Sequence, residues 1–93
     1  QRSLGWSVQA AAEAGRPVIR LAAPAGPLAG AVLTGSAERP VGPREMRVLD
    51  FRETAPGRYE AASPLPGAGQ WDLRLHVRHQ EHDMLLTRRL VVR

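Results

Sequence analysis

Three histidines and a methionine fall within nine residues, His76-Val77-Arg78-His79-Gln80-Glu81-His82-Asp83-Met84. Imidazole nitrogen and thioether sulfur are donors that suit copper better than calcium or magnesium. Ligands must converge in space, so the chemistry depends on where each side chain points. The flanking pattern sets that. Trp71, Leu73, Leu75 and Val77 alternate with Asp72, Arg74, His76 and Arg78, the period of a half-buried strand. Residues 82–93 then return after a turn at Gln80-Glu81. Pairing across this turn sets Val77 opposite Met84, Leu75 opposite Leu86 and Trp71 opposite Leu90 on the apolar side. On the polar side Arg78 meets Asp83 and Asp72 meets Arg89, opposite-charge pairs each worth about 0.2–1 kcal/mol. A one-residue slip would send the apolar set to solvent. Arg88, opposite Leu73, breaks the pattern and is expected at a bulge or snorkelling at a sheet edge.

This register divides the histidines. His79, His82 and Met84 share a face at the hairpin tip and form the candidate metal set, with copper as the ion. His76 lies on the opposite face between Arg74 and Arg78, and these three make a basic stripe that a partner protein could contact. Each set has a plainer alternative, which the residue pattern favours. The tip histidines would stand in a solvated turn with Met84 in the core, and the stripe would be an ordinary polar face.

Glycine and proline punctuate the rest of the chain at short intervals, as in an all-β sandwich. Seven strands are predicted, at 5–13, 16–23, 31–38, 46–53, 58–63, 70–79 and 82–93. Helix competes for the QAAAEA portion of the first, since Ala and Glu are good helix formers. Gly35 inside the third strand predicts a bulge. Leu65 in the connection PLPGAG is expected to tuck inward. The core set predicted for the last hairpin is Trp71, Leu73, Leu75, Val77, Leu86 and Leu90.

Ninety-three residues make a single domain, 1–93. The net charge of +4 and pI near 11.3 do not amount to a nucleic-acid signature. Every basic residue is arginine, and Ala, Arg, Gly and Pro, all with GC-rich codons, supply nearly half the chain. The arginines are dispersed, with Arg88-Arg89 the only adjacent pair, whereas a nucleic-acid surface needs them clustered. Absent cysteine excludes disulfides, thiolate metal sites and cysteine nucleophiles. HQEH is not the metalloprotease H-E-x-x-H, GAGQWD lacks the third glycine of a dinucleotide loop, and no G-x-S-x-G occurs. No catalytic residue is assigned, and no enzymatic activity is expected.

The order of landmarks carries more information than any one of them. PAGPLAGAVLTG (residues 24–35) is followed by Arg39-Pro40, then VLDFRETAPGRYEA (48–61) with its G-x-Y, then LPGAGQWDLRLHV (65–77) with G-x-W-x-L-x-L. Over residues 16–93 this series resembles the FixH family of nitrogen-fixation proteins and the related YtkA-like domains. The resemblance implies a membrane-anchored periplasmic domain of immunoglobulin-like β-sandwich fold, following one N-terminal transmembrane helix in the inner membrane. The chain begins at Gln1, and that anchor is expected upstream of it. The resemblance further implies partners: a membrane P-type copper ATPase, a ferredoxin-like membrane protein and oxidase assembly proteins. Together these would serve copper homeostasis and assembly of the cbb-type haem–copper cytochrome oxidase. The matching positions Gly57, Tyr59, Gly69 and Trp71 read as scaffold: the glycines permit tight strand entry and the two rings fill a small core. No family motif matches His79, His82 or Met84. No cofactor is assigned with certainty, and copper stays open.

Overall fold

A computed structural model describes residues 5–40 and 45–92. Eight antiparallel strands follow one another: β1 Ser7–Glu13, β2 Arg16–Ala23, β3 Gly26–Pro27, β4 Val32–Glu38, β5 Met46–Ala55, β6 Arg58–Ala61, β7 Gly69–His79 and β8 His82–Val92. Seven correspond to the predicted strands. The eighth, β3, is a two-residue bridge to the end of β2, in the Pro- and Gly-rich stretch between the predicted strands 16–23 and 31–38.

Each hairpin follows from its turn chemistry. Ala14-Gly15 joins β1 to β2 with both residues at positive φ, which matches the right-handed twist of paired strands. The QAAAEA segment is therefore strand, because Val8, Ala10 and Ala12 face Leu21, Ile19 and Pro17 across that hairpin. Pro56-Gly57 joins β5 to β6 with Gly57 at φ +78°. Proline then glycine is the sequence a type II turn requires.

One sheet runs β1-β2-β6-β5 and the other β4-β7-β8. This is the constant-type immunoglobulin arrangement. β5 belongs to both sheets. Residues Met46–Asp50 pair with β4 and Phe51–Ala55 with β6. A register shift between Glu53 and Ala55 accompanies the passage, and such irregularities increase local twist. The free edges β1 and β8 lie against one another, so the sandwich is nearly closed.

The β7–β8 register is the one read from the sequence, from Gly69 opposite Val92 to His79 opposite His82. Trp71, Leu73, Leu75, Val77 and Leu90 are buried together with Ile19, Leu21, Leu33, Leu49 and Tyr59. Fully burying one such aliphatic side chain contributes about 1.5–3 kcal/mol. Leu65 is also buried, and its amide donates to the Gly15 carbonyl at 2.9 Å.

Two expectations need correction, those for Leu86 and Gly35, and a third is narrowed. Leu86 is half-buried, because it lies on the edge strand where the cover thins. Of the two alternatives for Arg88 the bulge is excluded: it sits in regular register opposite Leu73, exposed on the edge strand. Gly35 pairs regularly with Leu49 and Leu75. Its reason is close approach: a Cβ there would stand 2.1 Å from the Arg74 carbonyl oxygen. The β7 backbone at Arg74, with the Leu75 side chain beside it, leaves no room for a side chain.

Candidate functional site

Four features hold the polar and exposed side chains: two clusters within the sandwich, the β7–β8 tip, and the outer face of the β4-β7-β8 sheet.

The first cluster is built on Tyr59 of β6. Its ring is buried, and its hydroxyl donates to the Leu28 carbonyl at 2.7 Å and accepts from the Ala31 amide at 3.0 Å. Burial raises the Tyr59 pKa above its ordinary value, so the donor stays protonated. Glu53 completes the cluster. The Gly57 and Gly30 amides donate to its two carboxylate oxygens at 3.1 and 3.0 Å. Hydrogen bonding from Gly57 first, then Gly30, lowers the Glu53 pKa. Gly57 lies where three segments cross, and a Cβ would meet Leu21 O at 2.7 Å and Pro27 Cβ at 2.8 Å. PAGPLAG and G-x-Y are thus two halves of one junction.

The second cluster joins the other landmarks. Arg39 lies over the Trp71 ring, with its guanidinium carbon 4.1 Å from the centroid. Arg39 Nη1 donates to the Gln70 carbonyl at 3.2 Å, and its Nε lies 3.7 Å from Glu45. Trp71 Nε1 donates to Gly67 O at 3.0 Å. Gly69, at φ +104°, lets the chain turn beneath that guanidinium. Gly57, Tyr59, Gly69 and Trp71 therefore all stand in scaffold positions. Of their partners, Arg39 was legible as a landmark beside Pro40 but without a role, and Glu53 only as a residue inside the landmark segment 48–61.

At the hairpin tip, His79 and His82 are cross-strand partners flanking Gln80-Glu81. Met84 is half-buried opposite Val77 on the same side. Trp6, just before β1, lies against both imidazoles, with ring centroids 6.1 Å from His79 and 6.4 Å from His82. Among the described residues, no group of three or more His, Cys, Asp or Glu could hold a metal ion. The tip set differs in kind, since its third member is a thioether.

The stripe Arg74, His76 and Arg78 faces outward as read, but it is not uniformly basic. Asp83 Oδ1 lies 3.1 Å from His76 Nε2 and 3.6 Å from Arg78 Nε. Arg89 pairs with Asp72 at 3.0 Å. Arg74 has no carboxylate partner among the described residues. It lines a shallow groove of about 430 Å³ with Gly35, His76, Leu85 and Thr87. On the same outer face Leu85 is 80% exposed, Val48 76%, Val32 60% and Met46 57%. The outer face of the opposite sheet differs. There Glu13, Arg16, Arg20, Arg58 and Glu60 pair with one another, and Val18 among them is buried.

These features define an antiparallel immunoglobulin-like sandwich pinned by two clusters of landmark residues, with exposed apolar side chains set among the charges of one outer face. The landmark order and the fold agree with a match between the FixH family model and residues 1–91. The chain belongs to the FixH family, an accessory, non-catalytic family linked to maturation of cbb-type oxidases. Comparison with curated proteins and with solved structures finds no match.

Proposed function

We propose that this chain is the periplasmic domain of a membrane-anchored accessory protein for maturation of a cbb-type haem–copper oxidase. It acts by binding a protein partner of the copper-delivery and assembly system, such as the membrane copper ATPase. Family membership supports the process. The contrast between the two outer faces supports the mode. Ion pairs occur on both faces, but the β4-β7-β8 face also exposes Leu85, Val48, Val32 and Met46, together with Arg74, which has no carboxylate partner among the described residues. Apolar side chains exposed on one sheet face offer an interaction surface. An arginine among them supplies a centre for an acidic residue of the partner.

The test is the double variant Arg74→Glu, Leu85→Glu, expressed in place of the native protein. Both residues point to solvent, so the melting temperature should stay within a few degrees of the parent. Oxidase assembly should fall severely. Normal oxidase levels at unchanged protein abundance would contradict the proposal.

A further inference from the structure

The hairpin tip carries an arrangement that the partner-face reading does not use. His79 Nε2 lies 3.1 Å from the Ala29 carbonyl oxygen. A carbonyl only accepts, so in the neutral ring Nε2 holds the proton and Nδ1 keeps its lone pair. Metal-binding histidines are oriented in the same way, by donating the other ring N–H to a carbonyl or carboxylate. His82, across the strand pair, is exposed and has no polar partner among the described residues. Met84 follows on the same side, and its unbranched side chain adapts its reach readily. Asp83, the nearest carboxylate on β8, is engaged on the opposite face by His76 and Arg78. Trp6 stands against both imidazoles, its plane nearly perpendicular to each ring at 87° and 88°.

We infer that His79, His82 and Met84 form a binding site for a soft monovalent ion, Cu(I), beneath the Trp6 indole. The donors are two neutral nitrogens and one thioether sulfur, with no anionic ligand. Soft, low-charge ions tolerate such a set. Calcium and magnesium require several oxygens, and structural zinc sites require four ligands. The site lies at the tip of β7–β8, whereas the groove of the outer face is lined by Gly35, Arg74, His76, Leu85 and Thr87. Loss of either leaves the other standing.

The experiment uses the 93-residue chain with Ag(I) as a redox-inert probe of the Cu(I) site, repeated with Cu(I) under reducing conditions. One equivalent should change tryptophan fluorescence saturably, and Trp6→Phe should remove that optical change while binding persists by calorimetry. His79→Ala and His82→Ala should each weaken binding at least tenfold. Met84→Leu should weaken it severalfold, and His76→Ala should leave it unchanged. Histidine-ring NMR of the unmutated chain gives a second measurement that needs no variant: the His79 and His82 signals should shift and His76 should not. Equal loss from His76→Ala, Zn(II) binding as tightly as Ag(I), or no saturable ring shift would each overturn the assignment.

Discussion

The Arg39 guanidinium lies 4.1 Å from the centre of the Trp71 ring, and this contact ties the β4–β5 loop to the start of β7. The Arg39 side chain is only 20% exposed, and a partly desolvated cation over indole is worth about 1–2 kcal/mol. Arg39→Ala should lower stability by about that amount in denaturant unfolding, while Trp71→Ala should cost about 3–5 kcal/mol. A Trp71→Ala loss below about 1 kcal/mol would show that the ring is not core. Lysine at position 39 should restore only part of the loss, because it cannot stack as a plane.

Tyr59→Phe keeps the ring and removes one oxygen. The Ala31 amide and Leu28 carbonyl then lose their partner. An unsatisfied buried polar group costs about 1–3 kcal/mol, and equilibrium unfolding should show a loss in that range. An unchanged midpoint would mean that water replaces the hydroxyl.

Gly35→Ala tests close approach against bulge. Its Cβ would meet backbone at 2.1 Å, whereas a Cβ on Gly67 would meet the far end of the Arg39 side chain at 2.6 Å. Backbone between paired strands cannot give way as a guanidinium can. Gly35→Ala should therefore cost at least about 1–3 kcal/mol and more than Gly67→Ala. Equal thermal shifts would contradict this reading.

Glu53 gives the fold a defined acid limb. Its pKa is lowered from the ordinary 4.5 by the Gly57 and Gly30 amides. A depressed carboxylate contributes stability that is present above the unfolded value and lost as pH falls through the lower folded value. Stability of the parent should therefore decline below about pH 4.5. In Glu53→Gln that part of the decline should be missing, and stability at neutral pH should already be lower. Parallel pH profiles would exclude Glu53 as its source.

The sequence disclosed most where one strand face is buried. Strict alternation from Trp71 to Val77 and two opposite-charge pairs leave one register for β7 and β8, and the structure has it. Turn residues showed where strands end, but not which sheet each joins. The division of β5 between two sheets was therefore hidden. Gly35 illustrates a related limit, since a bulge and a close backbone approach both call for glycine. Arg39 over Trp71, Glu53 under Gly30 and Trp6 against the tip histidines are contacts between distant segments. Local pattern carries no record of them. The metal candidates were legible as a shared face; the Ala29 carbonyl and Trp6 beside them were not.

The outer face of the β4-β7-β8 sheet is tested most directly by site-specific photo-crosslinking in cells assembling the oxidase. A probe at Leu85 is compared with one at Arg20, on the ion-paired face of the other sheet. The expected result is a crosslink from Leu85, absent from Arg20, to the copper ATPase or another identified oxidase assembly protein, and its loss when Arg74→Glu is added. Equal crosslinking from both positions, or none from Leu85 to any such protein, would contradict the assignment of this face.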